Sequence, residues 1–169
     1  MNSAATMLGS ALKGAHELML ATMNGLTTEQ WHHQAGGKTV PIAAHVGHVL
    51  VFEDGAINML KGNHPLAMSM NTGFSELPPQ QPPWDVWGRK VHADLAAVHA
   101  YGMAVTAASE AYVATLDDAA LAKPLDLSMI GQGMQTVGFL LSGLVLNVHL
   151  HTGEISCLKG LQGLQGYPI

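Results

Sequence analysis

The sequence is poor in charge. Only 11% of its 169 residues are Asp, Glu, Lys or Arg, whereas 48% are hydrophobic. With so few charges over so much apolar side chain, we expect another subunit to cover part of the surface. Seven basic residues against twelve acidic ones give a net charge of -5, and no basic cluster occurs along the chain. Nucleic acid is therefore not an expected partner.

The sequence also lacks a second cysteine and a long apolar run. Cys157 stands alone, so no internal disulfide can form, and we expect it to be a small buried hydrophobic residue. The longest nearly uncharged apolar run, residues 137–150, is shorter than the roughly 20 residues that cross a membrane. No basic segment followed by an apolar signal core begins the chain. These absences predict a cytoplasmic protein without a membrane partner.

Helical periodicity is the strongest pattern that the sequence contains. Four stretches place apolar residues at helical spacing, and no stretch shows the sustained alternation of a half-buried strand. The chain has an ordinary length for one domain, which we place at residues 1–169. We therefore predict a single all-α domain folded as a four-helix bundle, with long connections after the second and third helices.

Capping residues, glycines and prolines predict where these helices begin and end. The third should be the longest, and Thr27 to Gln30 should form a short capped turn. The predicted helices run from just after Asn2 or Ser3 to Met23, from Thr39 or Pro41 to Gly62, from Asp85 to Asp117, and from about Gln135 to Gly160.

The faces of the second helix can be assigned from the same periodicity. We expect His45, Val49 and Phe52 on its inner side, with His48 at the edge. Gly47, Asp54, Asn58 and Lys61 should lie on the opposite, outer side.

The fourth helix contains a polar segment in which angular position separates similar residues. At about 100° per residue, Asn147 and His151 share the core-facing side, whereas His149 points to the opposite side. Two donors at this i, i+4 spacing can chelate one ion, and the facing helix would supply a third ligand, His48 or else His45. The predicted metal site is therefore His48, Asn147 and His151.

Three further residues have alternative interpretations. His45 should pack in the core or support a ligand rather than bind the ion itself. Glu53 and Glu154 lie near the core-facing sides, where each could orient a ligand histidine or act as a general base, or could be an ordinary helix-surface charge.

Two short segments, residues 44–49 and 151–155, resemble those of the DinB-like four-helix bundles, which include metal-dependent thiol transferases and hydrolases. The resemblance implies a divalent ion (nickel, zinc or manganese) bound by one histidine of the second helix and an i, i+4 histidine pair of the fourth. His48 and His151 match this pattern, but Asn147 replaces the remaining histidine. An amide oxygen is a weaker, harder donor than imidazole, so affinity should fall and shift away from zinc and nickel.

Two functions remain open at this point. The resemblance implies an enzyme that uses a low-molecular-weight thiol or water to attack a small electrophilic substrate. Asn147 favours the alternative, a metal-free bundle that binds a small apolar ligand or acts as an oligomeric scaffold. The other histidines are expected to be solvated or capping residues: His16, His32, His33, His64, His92, His99 and His149.

A second apolar stripe accompanies the core face of the fourth helix. Because two stripes need two partners, we expect this one to contribute to a homodimer. Its members are Phe139, Gly143, Leu146, Leu150 and Leu161.

Overall fold

The computed structural model describes residues 3–79 and 83–168. Four long helices dominate these ranges and confirm the predicted all-α bundle. The described helices are α1 (Ala4–Met23), α2 (Thr28–His32), α3 (Ile42–Lys61), α4 (Trp84–Gly88), α5 (Leu95–Val113), α6 (Asp118–Leu121) and α7 (Val137–Leu161), with single 3-10 turns at Leu66–Met68 and Ser128–Ile130 and with strands β1 (Pro124–Asp126) and β2 (Met134–Thr136).

Local capping explains the first two helices. The Ser3 side chain accepts a hydrogen bond from the Thr6 amide and begins α1, while Asn2 lies outside the described residues. At α2, the Thr27 hydroxyl and the Gln30 side chain cap each other's backbone amides, which confirms the predicted capping box. These ends follow from neighbouring residues alone.

The predicted third helix is wrong at its start and in its length. α4 ends at Gly88, and a new helix, α5, begins only after Asp94, whose carboxylate accepts hydrogen bonds from the amides of Ala96 and Ala97. The break between α4 and α5 coincides with an isolated antiparallel bridge, in which Phe74, from the connection before α4, pairs with Ala93. This pairing holds the residues just before α5 extended. The longest described helix is instead α7, with 25 residues.

The short hairpin between α6 and α7 was not predicted. β1 and β2 pair antiparallel over three residues each, with Leu125 opposite Gln135. Three residues are too few for the alternation of a strand to stand out from its surroundings. The fourth helix consequently begins at Val137, capped by Thr136, two residues after its predicted start.

α3 is buried on nearly every side, so the prediction of an outer, polar face was wrong for most of its residues. Gly47, Asp54 and Asn58 are all buried. The long connection after α3 covers this side, since Asp54 accepts hydrogen bonds from the backbone amides of Leu66 and Ala67 and from the Tyr101 hydroxyl. Residues 80–82 of that connection lie outside the described residues.

α7 packs against α1 and α3 along its core face. Its second apolar stripe is exposed, with Phe139 47%, Leu146 58%, Leu150 61% and Leu161 63% accessible. Among the described helices, none is both long enough and apolar enough to cross a membrane.

Candidate metal centre

A pocket of about 340 Å³ opens between α3, α4 and α7. Its walls are mainly apolar and aromatic, and its polar lining consists of imidazole rings. The lining residues are Val40, Ala44, His45, His48, Trp84, Trp87 and His151.

Close helix packing creates this pocket. α3 carries His45 and His48 one turn apart, and α7 brings His151 opposite them. A Cβ atom at Gly47 would lie only 3.2 Å from Cη2 of Trp87, so glycine at this position lets the indole pack directly on α3. The Trp87 indole nitrogen also donates to the Glu76 carbonyl at 3.0 Å, which holds the ring as a wall of the pocket.

His48 is packed among aromatic rings. Its ring centroid is 4.8 Å from that of His151 and 4.4 Å from that of Trp84, edge-on in both cases. Burial lowers the pKa of His48 to about 4, helped by repulsion from His151 and opposed by the side chain of Asn147. Within the described residues its buried Nδ1 has no hydrogen-bond partner. His48 is therefore neutral near pH 7 and can donate a lone pair.

His45, His151 and Glu154 converge beside this ring. The Nδ1 atoms of the two histidines are 3.1 Å apart. Oε2 of Glu154 lies 3.0 Å from Nδ1 of His45 and 2.5 Å from Nδ1 of His151. Hydrogen bonds from His151 and His45 hold the pKa of Glu154 well below its usual range. One atom from each side chain lies within 4.8 Å of the other two, a grouping that could hold a metal ion.

Of the three predicted site residues, His48 and His151 line this pocket, and Asn147 is not among the lining residues. His48 and His151 are ring neighbours, and Asn147 lies close enough to His48 to influence its pKa. His149 lies on the exposed side, as its angular position predicts, and contacts the Val145 carbonyl at 2.9 Å.

Sequence reasoning missed how close His45 and Glu154 come. Glu154 follows His151 by three residues on one helix face, and His45 precedes His48 by three. That spacing was a usable signal for each pair, but nothing in the sequence places the two pairs in contact.

Two other residues require correction. His16 was expected to be solvated or to cap a helix, but it is buried, with Nε2 3.1 Å from Glu53 and Nδ1 2.9 Å from Glu110. Cys157 was expected to be buried, but it is exposed, because it lies on the outer side of α7.

Comparison with known families settles the lineage of this fold. The model of the DinB superfamily matches residues 11–155. This chain belongs to the DinB superfamily. The match includes all the pocket residues, and it confirms the resemblance drawn from residues 44–49 and 151–155.

One solved structure shows the same fold. A conserved protein from Enterococcus faecalis superposes with a TM-score of 0.78 at 18% identity, over 95% of this chain and 98% of that chain. At this level of identity the similarity concerns the DinB fold alone. A comparison with curated protein sequences gives no significant match.

Proposed function

We propose that this DinB-superfamily protein binds a divalent metal ion in the pocket and uses it to direct a thiol or water onto a small electrophilic substrate. The observation that carries the proposal is the grouping of one donor atom each from His45, His151 and Glu154 beside the pocket. The neighbouring His48 also has a buried Nδ1 without a hydrogen-bond partner within the part of the chain that the structure describes. A buried polar atom without a hydrogen bond costs stability, and such atoms are kept where a ligand uses them.

The donor set fits a divalent ion. Neutral imidazole is the commonest metal ligand, and the lowered pKa of His48 keeps its ring neutral near pH 7. The resemblance implies His48, His151 and Asn147 as ligands, with the amide as the weakest donor. Nickel, zinc and manganese are the ions to test.

The ion would activate the attacking group, and the pocket walls would bind the substrate. A bound divalent ion lowers the pKa of a coordinated water or thiol. Trp84, Trp87 and Val40 would hold the apolar part of the substrate and exclude bulk water. The half-exposed Glu154 would orient His45 and His151 through its contacts with both rings.

The pocket limits the substrate in size and polarity. A volume of about 340 Å³ is at the lower end of the range for small-molecule sites. Together with the apolar walls, it favours a compact, mainly hydrophobic molecule with one electrophilic centre. The thiol co-substrate, a low-molecular-weight thiol, is implied by the superfamily resemblance.

A second candidate function is metal-free binding of a small apolar ligand. The observation that favours it is the hydrogen bonding of Glu154 to both His45 and His151, which satisfies these side chains without an ion. The same apolar walls would then hold the ligand alone.

Elemental analysis of untagged purified protein, repeated after loading with nickel, zinc or manganese, tests the first proposal. We expect about one equivalent of metal in the wild type, loss in His151→Ala and retention in His149→Ala, a control on the same helix outside the pocket. Wild-type protein that takes up no metal under any loading would refute the metal-dependent function and leave the ligand-binding alternative.

We also propose that a second copy of this chain covers the exposed stripe of α7. Phe139, Gly143, Leu146 and Leu150 follow one another at spacings of four, three and four residues, the seam pattern of paired helices. Leu150→Glu should convert a dimer to a monomer in light scattering, whereas Met103→Glu, at an equally exposed position on α5, should not. A wild-type monomer at all concentrations would contradict this proposal.

A further inference from the structure

Asn147 replaces the metal-binding histidine that the resemblance implies, and the structure shows what surrounds that position. The Asn147 side chain lies within hydrogen-bonding distance of the His48 side chain. The atoms that converge on one point belong instead to His45, His151 and Glu154. His48, although it is a ring neighbour of His151, does not belong to this group of histidine and carboxylate donors.

The spacing of these three donors matches that of metal ligands. In a tetrahedral zinc site with bonds of about 2.0–2.1 Å, neighbouring ligand atoms lie about 3.4 Å apart. The His45 and His151 nitrogens are 3.1 Å apart, and the His45 nitrogen is 3.0 Å from Glu154 Oε2. Only a small outward movement, largest for the 2.5 Å contact of His151 with Glu154, would make room for an ion.

The helices support this geometry from both sides. His151 and Glu154 are three residues apart on α7 and share a face, while α3 brings His45 to them. His45 and His151 are mostly buried, with 12% and 21% of their side chains accessible, whereas Glu154 is 53% accessible at the mouth. An ion among them would have its protein ligands on the inner side and open positions towards solvent and the pocket.

We propose that His45, His151 and Glu154 are the ligands of the divalent ion, and that Asn147 is not a ligand but positions His48. This inference rests on the metal binding proposed above and concerns only which side chains hold the ion. Two histidines and one carboxylate form a set used by catalytic zinc and by non-haem iron sites with open positions. His45 and Glu154 each lie three residues, about one helical turn, from His48 and His151 respectively.

Zinc affinity, measured by competition with a chromophoric chelator, gives the first test on the full chain. We expect Glu154→Gln and His45→Gln each to weaken zinc binding by more than about 100-fold, beyond the 10–100-fold typical of residues that only support a ligand. Asn147→Ala should stay within about tenfold. His149→Gln is the matched control, with the same substitution at an exposed position of α7.

Cobalt loading gives a second readout, because the visible absorption of Co²⁺ depends on the atoms bound to it. Glu154→Gln should change the cobalt spectrum, and Asn147→Ala should leave it unchanged. Glutamine preserves the size of Glu154, and circular dichroism will verify that each variant is folded.

The outcomes separate this inference from the proposed function. Wild-type binding that is lost in Asn147→Ala but kept in Glu154→Gln and His45→Gln would overturn the ligand assignment and leave the metal-dependent function standing. Wild-type protein that binds neither zinc nor cobalt would overturn both.

Discussion

Two clusters of histidine and glutamate lie in this bundle, and they differ in what their polar atoms contact. In the core cluster (His16, Glu53 and Glu110), both ring nitrogens of His16 face a carboxylate. In the pocket cluster (His45, His48, Asn147, His151 and Glu154), His48 Nδ1 is buried without a partner among the described residues. Oε1 of Glu53, 3.0 Å from His16 Nε2, is also buried without a hydrogen bond among the described residues, so the pairing of the imidazole nitrogens is what distinguishes the two clusters.

The two clusters should contribute differently to stability and to ligand binding. A buried ion pair with both partners present depends on each of them, and removing one leaves a buried charge behind. An unpaired buried nitrogen lowers stability and is retained where a ligand uses it. We therefore expect substitutions in the core cluster to lower the free energy of unfolding, and substitutions in the pocket cluster to affect ligand binding more than stability.

The largest effect should come from His16→Ala. Glu53, only 1% exposed, would lose the imidazole that contacts it, and below pH 6.5, where His16 is protonated, we expect the free energy of unfolding to fall by about 3–5 kcal/mol. Denaturant unfolding measures this change.

The double variant His16→Leu, Glu53→Leu is the control for that prediction. It removes the buried charge together with its partner and should recover most of the lost stability. A double variant as unstable as His16→Ala would show that packing, not charge, explains the loss.

A smaller effect of opposite sign is expected for His48→Leu. Leucine removes the unpartnered nitrogen and keeps contact with Trp84 and Phe52, so the free energy of unfolding should rise by about 1 kcal/mol. Thermal unfolding of metal-free protein measures it. A clear loss of stability would mean that His48 is a structural residue, and the contrast between the clusters would fail.

The core cluster should also make stability depend on pH. Burial lowers the pKa of His16, but hydrogen bonds and charges from Glu53 on α3 and Glu110 on α5 outweigh it and raise that pKa above 6.5. The folded state then holds a proton that the unfolded chain releases, so this contribution is complete below pH 6.5 and is lost as pH rises through the raised pKa. Unfolding between about pH 6 and 9 should show a steeper decline for the wild type than for His16→Gln. Parallel curves would contradict the prediction.

The smallest effect is expected for His149→Ala. This exposed side chain lies outside both clusters, so the free energy of unfolding should change by less than about 0.5 kcal/mol. A larger change would show that α7 is sensitive to substitution in general, which would weaken conclusions drawn from His151 variants.

The features that sequence predicts well are those set by near neighbours. The capping of α1 by Ser3 and of α2 by Thr27 requires only residues within one helical turn. The inward placement of His48 and His151 follows from helical periodicity in the same way. The break between α4 and α5 could not be predicted, because it depends on pairing of Phe74 with Ala93 across 19 residues of chain.

The candidate site likewise combines features set by local periodicity with features set by helix packing. Periodicity placed Asn147 and His151 on one face of the fourth helix and His48 at the edge of a face of the second, and the family resemblance joined His48 to the site. Which atoms actually converge was decided by how α3 and α7 pack, because that packing sets the distance between His45 and Glu154. The sequence by itself determined α1, α2, the all-α class and the superfamily pattern, because these depend on local and periodic interactions. Only the tertiary structure decided the partners of His16 and His45, because those contacts join helices whose relative positions depend on the packing of the whole core.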